Sequence, residues 1–268
     1  MAANYTSSDD VTKYLVSSWC ILTVLLSLLG NIFVLVASVR DKAIRLDRVS
    51  IVLIENLAVA DIGFSVFLLL PTTVLRFKYN DFLPDHPLYE IASVIGTACY
   101  GMNSWLIPWL NCCKLFSLLF PLRVRNYRYR DGYKISVTAW ILQTAMVSGY
   151  TIGWSDSHVM RTVFSASLSV LLLLAVFSTV ALLLTVHKAR GLTRQGTFSV
   201  ILVSVLYLVS YIPLWLTQLI DPMKQNHLLG RITGGISFIS RFSNPVVYYL
   251  TLQSFKDYVR RIFSRYEH

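Results

Sequence analysis

Asp61 and Arg241 are opposite charges, and each stands inside a long apolar stretch of this 268-residue chain. Glu55 and Lys114 form a second such set. Asn31, Asn56, Asn103, Asn111 and Asn244 add amides to it. A charge at mid-bilayer costs about 2.5–3.5 kcal/mol on insertion scales, so such groups face a bundle interior and pair. Their chemistry is ion pairing and hydrogen bonding. A purely structural cluster that fixes helix packing is the competing reading for each amide. No metal-ligand spacing and no nucleophile motif occurs, so no enzyme activity, cofactor or metal is expected.

The elements that must hold these groups follow from composition. The chain is 55% hydrophobic and 14% charged, against about 25% charged in soluble domains. A helix crosses a bilayer with roughly 20 mostly apolar residues. Seven such spans can be drawn, at about 12–39, 49–76, 88–120, 134–154, 161–187, 197–220 and 229–251. In the tail 252–263, Leu252, Phe255, Tyr258, Val259 and Ile262 recur at helical spacing among charges. That predicts an interfacial amphipathic helix rather than an eighth span. The expected fold class is an all-α membrane protein, one domain over 1–268, with 1–11 extracellular and 252–268 a cytoplasmic helix and tail. A separate ectodomain is not expected.

The net charge of +10 would raise nucleic acid as a partner in a soluble protein. Here it lies in short loops and reads as topology, and nucleic acid is not expected. Lys and Arg number sixteen in the loops after spans 1, 3 and 5 and in the tail, against six on the other side. The amino terminus is thus expected outside and the carboxyl terminus in the cytosol. Asn4-Tyr5-Thr6 is a glycosylation acceptor triplet on the outer side. The polar, acidic opening Met1 to Val11 is not a cleavable signal peptide, so the first span is expected to act as the targeting signal. Cys20, Cys99, Cys112 and Cys113 all fall within spans, so no outer disulfide is expected.

Several motifs fall in order along these spans. Gly30-Asn31 lies in span 1, and Asn56-Leu57-Ala58-Val59-Ala60-Asp61 in span 2. Pro121-Leu122-Arg123 follows span 3, Trp140 is in span 4, and Pro213 is in span 6. Asn244-Pro245-Val246-Val247-Tyr248 closes span 7, with Phe255 beyond it. Together they resemble a divergent rhodopsin-like (class A) G-protein-coupled receptor. The resemblance covers nearly the whole chain. It implies a plasma-membrane receptor that transduces an extracellular ligand to a heterotrimeric G protein, with Lys114 and Arg123 facing that partner. It implies a switch network of Asn31, Asp61, Arg241, Asn244, Pro245 and Tyr248. Proline lacks an N–H and crowds the preceding turn, so Pro213 and Pro245 should kink their helices. Such kinks can be bistable elements or static ones.

The pattern also breaks. Cys113-Lys114-Leu115 stands where the family has Asp-Arg-Tyr. Lys114 lacks the planar fork of arginine. It either pairs with Glu55 or snorkels to the inner interface. Ser210-Tyr211-Ile212-Pro213 replaces the usual Cys-Trp-x-Pro, and Pro108 is unusual for span 3. Arg241 stands where the resemblance implies a sodium site around Asp61. It is expected to pair with Asp61 in place of sodium, with Asn31 and Asn103 completing the bonds, unless it faces lipid and snorkels.

By resemblance, the ligand pocket would use Tyr100, Asn103, Tyr211, Trp215, Gln218 and Phe238. Gly96 stands where amine receptors carry an aspartate, so a monoamine is not expected. Phe238 stands where opsins carry the retinal lysine, so the likeness is not expected to be to an opsin. An aromatic, uncharged pocket suits a lipid-like or uncharged small molecule, or a hydrophobic peptide end. The basic inner loops suit an acidic partner or anionic membrane lipid. A non-coupling decoy and a transporter using the buried charges remain as alternatives. The chain shows no repeat of the transporter kind.

Overall fold

Inside hydrocarbon every backbone N–H must be satisfied within its own segment, which favours continuous helices. The computed structural model describes residues 5–41, 47–79, 87–124, 126–152, 158–188, 194–220 and 227–264. All secondary structure among them is helical, with no strand. The helices are α1 (Tyr5–Asp41), α2 (Arg48–Phe64), α3 (Leu70–Tyr79), α4 (Pro87–Leu119), α5 (Pro121–Val124) and α6 (Tyr129–Ile152). They continue with α7 (His158–Lys188), α8 (Arg194–Ile220), α9 (His227–Ser237), α10 (Ile239–Thr251) and α11 (Gln253–Ser264). A π-helical stretch, Ser65–Leu69, joins α2 to α3.

Four stretches among the described residues are long and apolar enough to cross a membrane: Tyr14–Val39, Arg48–Val74, Ser165–Lys188 and Gly196–Thr217. Helix α4 carries Asn103, Pro108 and Asn111 along its length, and α10 carries Arg241 and Asn244, which makes both less apolar. Leu29, Phe177, Leu184 and Val209 are more than half exposed. An outward apolar surface of this kind suits lipid contact.

Helix α4 is central. It packs against α2, α6, α7 and α8, while α1 closes the bundle between α2 and α10. At Gly30 an added Cβ would lie 2.8 Å from Pro245 Cγ, so only glycine allows α1 this close to α10. The amphipathic tail forms α11, and its Phe255 and Tyr258 rings pack on Phe33 of α1 with centroids 5.5 and 5.4 Å apart.

Two interruptions differ from the sequence expectation. The first is the π-helical stretch within span 2. Pro71 cannot donate to the Phe67 carbonyl and its ring crowds that carbonyl; the wider turn sits directly before it. The second lies in span 7. Helix α10 runs through Pro245, and a break not foreseen from the sequence falls at Phe238. There the Arg241 N–H bonds the Phe238 carbonyl at 3.0 Å, a tighter three-residue closure. Helices α4 and α8 likewise run through Pro108 and Pro213. Asn4 of the acceptor triplet lies outside the described residues.

Candidate functional site

Asp61, on α2, and Arg241, in the first turn of α10, are both fully buried. Arg241 Nη1 donates to Asp61 Oδ1 at 2.8 Å. Asn103 of α4 donates to the same oxygen at 3.2 Å, and Asn244 donates to Oδ2 at 3.2 Å. The carboxylate therefore accepts from three side chains on two other helices. The guanidinium donates through Nη2 to the Tyr100 carbonyl at 2.6 Å and to the Tyr211 hydroxyl. Its Cζ lies 4.7 Å from the Tyr100 ring centroid, 5.0 Å from Phe64 and 5.8 Å from Tyr211. A cation over desolvated aromatic faces gains about 2 kcal/mol or more. The pair is neutral overall, caged and hydrogen-bonded, which is what a low-dielectric interior demands of buried charge.

Asn31 meets the pair through the Arg241 backbone and not through the Asp61 carboxylate. Its Nδ2 donates to the Arg241 backbone carbonyl at 2.9 Å and to the Ser27 carbonyl at 2.9 Å. The reason is local. Arg241 precedes Pro245 by four residues, so its carbonyl meets a residue with no N–H, and an amide from α1 supplies the donor. Pro245 thus presents its ring to Gly30 and frees a carbonyl for Asn31. Tyr248 is buried, and its hydroxyl has no hydrogen-bond partner among the described residues; the same holds for Arg241 Nε and Asn103 Oδ1.

Three of the residues read as a ligand pocket, Tyr100, Asn103 and Tyr211, fall into the same network. The Tyr100 hydroxyl donates to Ser237 at 3.0 Å, and its ring stacks on Tyr211 at 5.4 Å. The Tyr211 hydroxyl also reaches the Tyr100 carbonyl at 3.2 Å. Phe238 packs on Phe64 at 5.4 Å. So Tyr100, Asn103 and Tyr211 close on the ion pair, with Phe238 packed behind the Phe64 wall of the cage. Trp215 stands apart, donating to Ser169 on α7 at 2.8 Å. The Gln218 side chain lies outside the described residues. Phe64 was missed by the sequence reading. The available signal was its spacing: three residues after Asp61, it shares that face of α2.

Lys114 corrects a sequence expectation. Its Nζ lies 2.5 Å from Asp47 Oδ2, so its partner is Asp47, not Glu55. Asp47 caps α2 by accepting from the Ser50 N–H at 2.8 Å, and it also accepts the Ser50 hydroxyl at 2.8 Å. Burial by itself would raise the Asp47 carboxyl, but Lys114 and Ser50 outweigh it and hold it below its ordinary value. Arg123 is exposed on α5 with its guanidinium 5.5 Å over the Phe120 ring.

A second polar centre holds α4, α7 and α8 together. Asn111 donates to Ser178 at 3.2 Å and to Thr179 at 3.0 Å, and accepts from Ser204 at 2.8 Å. Trp140 of α6 donates to Asn56 of α2 at 3.1 Å.

Over part of its length the chain is similar to known proteins. A stretch of 150 residues, 53% of this chain and 38% of the relative, is 31% identical to medium-wave-sensitive opsin 1 of Oryctolagus cuniculus. Over 159 residues the chain is 28% identical to medium-wave-sensitive opsin 1 of Rattus norvegicus, covering 57% of this chain and 42% of that one. It is also 28% identical over 160 residues to long-wave-sensitive opsin 1 of Canis lupus familiaris, covering 57% and 41%. The chain is a divergent relative of the rhodopsin-like receptors. The match spans well under half the length of these curated relatives. No family model matches the chain. The expectation drawn from Phe238, that the likeness lies away from opsins, is thereby corrected. One position can lose its chemistry while the helical framework keeps its similarity. The opsin likeness and the apolar helices together make this chain a multi-pass membrane protein.

Proposed function

We propose that this chain is a seven-span plasma-membrane receptor, not an enzyme, that transduces an extracellular ligand to a heterotrimeric G protein. It forms a single domain with its amino terminus outside and its carboxyl terminus in the cytosol. One observation carries the reading: α1, α2, α4, α8 and α10 meet at the Asp61–Arg241 pair, its cage and its amides. A ligand that shifts Tyr100 or Tyr211 would act on a network that continues to Asn244, Pro245 and Tyr248 toward the inner end. Lys114 and Arg123 would face the G protein. Neither α9 nor α10 contains a lysine, so no amine there can form a Schiff base with an aldehyde chromophore. The ligand fits a lipid-like or uncharged small molecule, or a hydrophobic peptide end, rather than a monoamine.

The test is nucleotide exchange by the reconstituted chain across G-protein subtypes, screened against such ligands. Ligand-dependent exchange on at least one subtype is the expected result. A ligand that binds without exchange on any subtype would instead favour a decoy. That second reading draws on the Lys114–Asp47 tie, which engages the cation that would otherwise meet the G protein. Ion or substrate flux in liposomes would mark a transporter.

A further inference from the structure

One face of α6 has a polarity gradient that the receptor reading does not use. Arg130, Lys134, Thr138 and Leu142 follow one another at intervals of four, so they form one ridge. All four are exposed. Along the ridge the chemistry passes from two cations through a hydroxyl to an aliphatic side chain. Beside it lies a cavity of about 260 Å³ between α6 and α4, lined by Lys134, Thr138 and Leu142 on one wall and Trp105 and Trp109 on the other. Trp105 is anchored, donating to Gln143 of α6 at 2.9 Å. Trp109 is 46% exposed. Asp131 is the nearby acid; its carboxylate is engaged by the Arg128 backbone N–H at 2.9 Å.

We propose that this groove is a binding site for an anionic phospholipid. The phosphate meets Lys134 and Arg130, the glycerol region meets Thr138, and one acyl chain runs past Trp109 and Leu142. The order of groups along the ridge matches the order of groups along such a lipid. Basic pockets between membrane helices on the cytoplasmic side suit anionic headgroups, and each Lys or Arg near the surface strengthens binding about fivefold. The proposal rests on the membrane-crossing part of the reading above, with the α6 amino-terminal end at the inner leaflet. It does not depend on G-protein coupling.

The experiment uses the full chain in bilayer discs of phosphatidylcholine, with brominated-acyl phosphatidylserine or brominated-acyl phosphatidylcholine titrated in. Bromine quenches nearby indoles, and the difference between the unaltered chain and Trp109→Phe isolates Trp109 among the six tryptophans. Brominated phosphatidylserine is expected to quench Trp109 at a lower mole fraction than brominated phosphatidylcholine. That preference should shrink by about fivefold for each of Lys134→Gln and Arg130→Gln. Both side chains are exposed, so the variants should fold, and thermal unfolding checks this. Equal quenching by the two lipids would overturn the proposal, as would a preference that survives the double substitution. Loss of the preference on adding millimolar inorganic phosphate would reassign the site to a free anion. If neither lipid quenched any tryptophan, the membrane reading itself would fail.

Discussion

Asn31 donates to the backbone carbonyl of Arg241, 210 residues further along the chain, at 2.9 Å. Pro245 leaves that carbonyl without its helical donor, and Gly30 gives the proline ring room beside α1. Residues 30 and 31 therefore fit residues 241 and 245 as a unit. Asn31→Leu should destabilise the chain in detergent by about 1–3 kcal/mol, the usual cost of an orphaned buried acceptor. In a Pro245→Ala background the helix regains its own N–H donor, and the same substitution should cost clearly less. Thermal unfolding of the four combinations reads the coupling. Equal cost in both backgrounds would show that the carbonyl does not depend on Asn31.

Arg241→Ala should be among the most damaging single substitutions, costing about 3–5 kcal/mol, because it strands a buried carboxylate. Asp61→Asn together with Arg241→Met removes both charges and should recover much of that loss. Because a guanidinium already occupies the Asp61 carboxylate, the unfolding temperature should not change when sodium is exchanged for choline at constant ionic strength. A sodium-dependent rise in stability would contradict this pairing.

The inner tie predicts a pH dependence. The Asp47 carboxyl is held below its ordinary value when folded, so its contribution is fully present above the unfolded value of about 3.9. It is lost as pH falls through the lower folded value. Asp47→Asn should therefore reduce stability at neutral pH, with the difference from the unaltered chain fading below about pH 4. Lys114→Gln should mimic it, and Glu55→Gln should not. Thermal unfolding from pH 3 to 7 compares the three.

Asn111→Val should loosen α7 and α8 from α4, since one amide joins Ser178, Thr179 and Ser204. Hydrogen bonds between membrane helices average about 0.6 kcal/mol each, so the three together predict a loss of about 2 kcal/mol. Hydrogen–deuterium exchange should rise in α7 and α8 before it rises in α1. Uniform exchange across all helices would argue against a local role.

The sequence by itself determined the helical class, the apolar outer surface and the buried charges, because hydrocarbon tolerates only satisfied backbones and paired ions. The resemblance to rhodopsin-like receptors also pointed to Asp61 and Arg241 as partners, since it put Arg241 where that family lines a cation site around the span 2 aspartate. Tertiary structure decided which donor meets which acceptor. Glu55 was the acid read as a partner for Lys114, with snorkelling as the alternative; the structure gives Lys114 to Asp47, which caps the start of α2. Asn31 was expected to complete the hydrogen bonds of the Asp61–Arg241 pair, and the shortage created by Pro245 directs it to the Arg241 backbone carbonyl. Of the residues read as a pocket, Tyr100 and Tyr211 close on Arg241 together with Phe64, while Trp215 bonds Ser169 of α7. Such pairings depend on the relative height and rotation of neighbouring helices, which apolar periodicity does not encode.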